Sequence, residues 1–145
     1  MNSETKTEVN VTQAVPFFLV SSMDASLRFY VDGLGFERTN QWIVEGKIRW
    51  CWLVHGGAAL MLQELHKPGQ DFHSVISTPG AGVAVCFQCK DALAIYREIT
   101  SRGIVAKRPF VGNAMWVVSV TDPDGYKLDF ESPTDAPEES VYSEP

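Results

Sequence analysis

Thr121-Asp122-Pro123-Asp124-Gly125-Tyr126-Lys127-Leu128-Asp129-Phe130-Glu131 reads as a tight turn feeding a strand. Pro123 presets φ at the second turn position, Asp122 and Asp124 can accept from neighbouring amides, and Gly125 can take the positive φ that closes a hairpin. Beyond the turn the residues alternate, with Tyr126, Leu128 and Phe130 on one side and Lys127, Asp129 and Glu131 on the other. A period of two describes a strand with one buried and one wetter face, and function is expected on the wetter one.

Working back from this stretch, residues 105–110 and 114–121 supply two more strands, and residues 83–89 a third. Between 89 and 105 lies a helix that Asp91 can cap, whose Ala92, Ile95, Tyr96 and Ile99 form an i, i+3, i+4, i+7 stripe and which Gly103 stops. Residues 65–81 hold Pro68, Gly69, Pro79 and Gly80 without any period, which marks a connector. Before it the same order occurs once already. A strand at 15–21 leads to a helix capped by Ser22 or Asp24 with the stripe Leu27, Tyr30, Val31 and Leu34, and Gly33 and Gly35 supply the stop. Strands at 36–44, 48–55 and 58–64 follow, joined at Glu45-Gly46 and Gly56-Gly57.

The order βαβββ thus appears twice, with Asp24 answering to Asp91, Phe29 to Tyr96 and Val15 to Gly82, each at an offset of 67. This predicts an α+β fold of two βαβββ modules, 14–64 and 82–131, forming a curved mixed sheet around a cup. Residues 1–13 are expected to be a flexible N-terminal segment and 132–145 an acidic, flexible tail. If Gly56-Gly57 is a two-residue turn, Val54 pairs with Ala59, Leu53 with Leu60, Trp52 with Met61 and Trp50 with Gln63. Paired residues share a face, so Cys51, Leu53, Leu60 and Leu62 are expected under the helix and Trp50, Trp52, Met61 and Gln63 on the other surface.

The chain has 45% hydrophobic and 21% charged residues, the composition of a soluble globular protein. It contains no apolar run of spanning length and opens on no secretion signal, so the cytoplasm is the expected location and no membrane partner is expected. The net charge of −6 sits mostly at the ends: −4 belongs to residues 132–145 and −1 to residues 1–13, leaving −1 for 14–131. A nearly neutral folded part argues against a nucleic-acid partner. Cys51, Cys86 and Cys89 are an odd number and are expected to be reduced. Cys86 and Cys89 have C-x-x-C spacing, but on a strand positions three apart face opposite sides, and packed thiols are expected.

Val15-Pro16-Phe17-Phe18-Leu19-Val20-Ser21, followed by Asp24-Ala25-Ser26-Leu27-Arg28-Phe29-Tyr30 and Gly33-Leu34-Gly35-Phe36, resembles the opening of the vicinal oxygen chelate superfamily. That group includes glyoxalase I, ring-cleaving dioxygenases, fosfomycin-resistance enzymes and bleomycin-resistance proteins. Leu60-Met61-Leu62-Gln63-Glu64 and the run from Asp122 to Phe130 are similar to its fourth and eighth strands, so the resemblance covers about residues 14–131.

In the enzymes of the family, the resemblance implies, a divalent metal is held in the cup by His, Gln or Glu from the first and last strands of each module. Those positions fall here on Val15, Met61, Gly82 and Asp129. Only Asp129 offers a donor, and a one-residue slip adds Gln63 or Glu131 at most. His55 lies beside a turn and His66 and His73 in the connector, without ligand spacing. No metal and no other cofactor is therefore expected, which favours the branch resembling bleomycin-resistance proteins. That branch, the resemblance implies, binds a ligand in a cup often completed across a dimer, so the expected partners are a small molecule and a second copy of the chain.

By strand parity the cup side carries Phe17, Leu19, Trp50, Trp52, Met61 and Gln63 from the first module, and Ala84, Cys86, Asp129 and Glu131 from the second. Aromatic walls with few polar groups suit a planar or amphipathic organic ligand. The expectation is a homodimeric, non-catalytic binding protein with no catalytic residues. The alternatives are a lyase, isomerase or dioxygenase of the same fold using unforeseen metal ligands, and a partner protein whose cup is filled. Trp116 falls on opposite faces according to whether the turn at Pro123 has three or four residues.

Overall fold

The computed structural model describes residues 9–65 and 69–144. The lead-in through residue 8 and His66 lie outside the described residues. The first module comprises β1 (Phe17–Val20), α1 (Met23–Leu27) with a wider, π-type continuation (Arg28–Gly33), β2 (Glu37–Val44), β3 (Lys47–His55) and β4 (Ala58–Glu64). The connector holds a short helix, α2 (Phe72–Val75), which the absence of any period concealed. The second module comprises β5 (Ala84–Gln88), α3 (Ala92–Ser101), β6 (Phe110–Gly112), β7 (Met115–Thr121) and β8 (Lys127–Pro133).

The strands form two four-stranded mixed sheets, β1-β4-β3-β2 and β5-β8-β7-β6. In each, the module's first strand runs parallel to its last while the remaining pairs are antiparallel. The duplicated α+β plan is as the offset predicted, but the strands make two separate sheets rather than one. Both helix caps hold: the Ser22 side chain accepts from the Ala25 amide and Asp91 from the Ala94 amide. The predicted strand at 105–110 shrinks to a single bridge, Ala106 with Val120, before β6 starts at Phe110. Pro109 intervenes, and its missing amide cannot continue a ladder.

The inner faces are apolar by alternation and bury accordingly. Cys51, Leu53, Leu60 and Leu62 are fully buried as the Gly56-Gly57 register required, and so are Val118 and Leu128 in the second sheet. One core runs through both modules. The rings of Phe18 and Tyr126 stack at 4.2 Å, Phe36 meets Phe87 at 5.7 Å, and an added Cβ on Gly33 would lie only 2.4 Å from Ile104 of the second module. Close approach of the modules thus explains Gly33 better than helix termination alone.

The turn that opens β8 is also the clasp between the halves. Gly125 has φ +105°, and the Asp122 carboxylate accepts from the Asp124 and Tyr126 amides, each at 2.9 Å. Buried at 4% exposure, Asp122 also accepts from the Tyr30 hydroxyl at 2.8 Å. Burial, then the Asp122 charge, raises the Tyr30 pKa, so the phenol stays neutral. Asp124 accepts from the Ser21 amide at 3.1 Å, and the Tyr126 hydroxyl donates to the Leu19 carbonyl at 2.7 Å.

The acidic segment expected to be a flexible tail runs along β6. Val111 donates to the Ser140 carbonyl, Glu139 to that of Val111 and Tyr142 to that of Pro109, each at 2.9 Å. The Glu138 carboxylate accepts from the Asn113 and Ala114 amides at 2.8 Å, holding a turn in which both residues have positive φ. Composition shows charge but not that β6 offers an unpaired edge. Because Glu138 is exposed, Glu138→Ala is expected to lower stability by only about 1 kcal/mol, measured by urea unfolding. An unchanged midpoint would show that the tail contact contributes nothing.

Candidate functional site

The outer face of the first sheet gathers all six residues the sequence placed there. Phe17 pairs with Met61 and Leu19 with Gln63 across β1 and β4, while Trp50 pairs with Gln63 and Trp52 with Met61 across β3 and β4. Phe17 is exposed, and the other five are half-buried. Trp42 joins them, because it pairs with Trp50. A plain ladder from the Glu45-Gly46 turn would set Trp42 opposite Arg49. A bulge between Trp42 and Ile43 moves it onto Trp50, and no local sequence signal gives that bulge away. The result is a tryptophan-rich wall with Gln63 as a polar group.

The outer face of the second sheet is polar. Cys86 pairs with Asp129 and Gln88 with Glu131 across β5 and β8. The Ser119 hydroxyl donates to Asp129 at 2.7 Å and the Gln88 amide to Glu131 at 2.8 Å. Over Asp129 lies a hollow of about 530 Å³, lined by residues such as Ala84, Lys107, Ser119, Thr121 and Lys127, all of the second module. The Cys86 thiol is exposed rather than packed, and burial of its sulfur followed by the charges of Glu131 and Asp129 raises its pKa. Cys89 donates to the Phe87 carbonyl, and buried Cys51 has its pKa pushed up to about 11 by desolvation. Trp116 pairs with Ser132 and packs on Tyr142 at 6.1 Å, which puts it on the inner side away from this face.

The hollow over Asp129 is lined by none of the six residues of the aromatic wall. Buried residues from the inner faces of both modules belong to one core. Alternation assigned each residue to its face but could not orient one sheet against the other. A hollow of about 650 Å³ lies between the modules, lined by Phe36, His55, Phe87, Cys89, Lys90 and Phe130 among others. Sequence reading missed it, since its walls combine inner-face residues and turns of both modules with Cys86 and Gln88 of β5.

The family's metal positions do not form a cation site. Val15 and Gly82 precede β1 and β5, Met61 and Asp129 lie within β4 and β8, and Asp129 alone carries an oxygen donor. A divalent ion needs several such donors, so no chemistry is assigned to a metal at those four positions.

No curated protein matches the chain. Among solved structures it is similar to TnmS3, an antibiotic-binding protein from Streptomyces sp. CB03234, at 19% identity and a TM-score of 0.61, over 88% of this chain and 100% of that one. It is similar to TioX from Micromonospora sp. ML1 at 19% identity and a TM-score of 0.65, over 85% and 99%. A bleomycin-binding protein complexed with bleomycin matches at 22% identity and a TM-score of 0.61, over 84% and 98%. At these identities the likeness establishes the fold. The profile of the Glyoxalase/Bleomycin resistance protein/Dioxygenase superfamily matches residues 12–130, and with the duplicated βαβββ plan this shows that the chain belongs to that superfamily.

Proposed function

We propose that the protein is a non-catalytic binder of a planar or amphipathic aromatic compound, acting as a homodimer. The aromatic wall of one protomer faces the Asp129–Glu131 side of its partner, and together they form the cup. The observation that carries this reading is the apolar surface a single chain leaves uncovered, with Phe17 48%, Trp42 51% and Ile43 51% exposed on the first sheet. Such a surface on a small domain marks a binding or assembly face. Indole rings give large contact area for stacking at small cost in side-chain freedom, and Asp129 and Glu131 orient the ligand's polar end. The antibiotic-binding and bleomycin-binding proteins that share the fold support a ligand of this type.

Binding of the organic ligand is metal-independent in this reading, because only Asp129 of the family's four metal positions carries an oxygen donor. Among the described residues no helix is long and apolar enough to cross a membrane, and three free thiols support a reducing compartment such as the cytoplasm. The test pairs sedimentation equilibrium with a titration of 9-aminoacridine, a planar aromatic probe, in chelator. A dimer that binds the dye and quenches tryptophan fluorescence is expected. A monomer with no binding at millimolar dye would overturn the reading.

A further inference from the structure

We propose that Cys86, Asp129 and Glu131 form a site for a zinc-class divalent cation on the outer face of the second sheet. The site stands on that sheet alone; it shares Asp129 and Glu131 with the proposed ligand cup, whose organic ligand binds without the metal, and it is tested here with metal ions only. It also differs from the family's metal positions, sharing only Asp129 with them.

Three features carry it. First, the fold brings unlike donors together: the parallel pairing sets Cys86 beside Asp129, and alternation puts Glu131 on the same side. One ligand atom from each lies within 4.8 Å of the others. Zinc bonds of roughly 2.0–2.3 Å require the three to draw in by about an ångström, a small rotation for side chains that are exposed or half-buried. Second, the carboxylates are held in place by neutral donors, Ser119 on one oxygen of Asp129 and Gln88 on one oxygen of Glu131. This is the kind of supporting arrangement that orients metal ligands.

Third, the cluster lacks a counter-charge. The ion pairs shown are Arg49 with Glu64 and Arg102 with Glu98, and among the described residues neither Asp129 nor Glu131 has a cationic nitrogen within 4.0 Å. Lys107 and Lys127 border the same hollow yet remain beyond that reach. One thiolate and two carboxylates suit a borderline ion such as Zn²⁺, whereas Mg²⁺ and Ca²⁺ prefer oxygen alone. On binding, Cys86 releases its proton to solvent and coordinates as thiolate. Three protein donors leave the fourth tetrahedral position to water.

The test uses the full chain stripped with chelator and then titrated with Co²⁺ and Zn²⁺. One Co²⁺ per chain is expected, with a thiolate-to-cobalt charge-transfer band that Zn²⁺ abolishes by displacement. Cys86→Ser should remove the band and weaken Zn²⁺ binding by about tenfold or more, and Glu131→Gln should weaken it similarly. Cys89→Ser should leave both unchanged. Cys86 is exposed, so its variant is expected to fold, and equal melting of the stripped chains checks this. Absence of uptake, cobalt binding without the band, or wild-type Zn²⁺ affinity in Cys86→Ser or Glu131→Gln would overturn the proposal.

Discussion

Asp122→Ala is expected to destabilise the fold by about 3 kcal/mol, because it removes three hydrogen bonds and leaves buried donors without partners. The Tyr30 hydroxyl and the amides of Asp124 and Tyr126 all donate to this one side chain. Tyr30 belongs to the first module and Tyr126 to the second, so the loss loosens the turn and the junction between modules at once. Denaturant unfolding at neutral pH gives the number directly. A loss below about 1 kcal/mol would mean that the clasp is replaceable by water.

Asp122 also predicts a pH dependence. Burial raises its pKa, against the lowering by hydrogen bonds from Tyr30 and the two amides. With a folded pKa above the unfolded one, the folded state binds the proton more tightly. The associated stability is therefore fully present below about pH 3.9, the unfolded value, and is lost as pH rises through the folded pKa. Asp122→Asn carries no such titration. Its stability relative to the parent chain should improve as pH rises through that window and then level off, and a constant difference across it would contradict the assigned shift.

The second large effect concerns the ligand. Trp52→Ala should weaken 9-aminoacridine binding by about 2 kcal/mol or more, close to thirtyfold, as for a stacked aromatic anchor. Trp52 stands beside Asn40 and Met61 on its two neighbouring strands, half-buried and opposite the core side of β3. Its removal should therefore cost affinity while the melting temperature changes little, and Trp52→Phe should retain most of the binding. If Trp52→Ala and Trp50→Ala both bind the dye as the parent does, the aromatic wall is not the ligand site.

What could be read from the residues was whatever a local rule determines. Two glycines at 56 and 57 fixed the register of β3 on β4, because a two-residue turn leaves a single pairing, and the faces of Trp50, Trp52, Met61 and Gln63 followed. Alternation after Gly125 likewise placed Asp129 and Glu131 together on one side of β8. Longer-range geometry was not legible. The loop between Thr121 and Lys127 spans five residues, so a three- or four-residue turn left Trp116 undecided. The bulge that brings Trp42 beside Trp50 has no glycine or proline to announce it. Phe18 and Tyr126 read as ordinary inward residues of two separate strands, yet their rings stack across the two modules at 4.2 Å.

The most direct measurement mixes two impaired chains, one Trp52→Ala and the other Asp129→Asn, and titrates 9-aminoacridine in chelator before and after subunit exchange. If each cup combines the first sheet of one protomer with the second sheet of the other, every mixed dimer carries one cup with both faces intact, and tight binding returns at one site per mixed dimer. If mixing restores nothing although exchange is complete, the two faces do not serve a common ligand across the dimer.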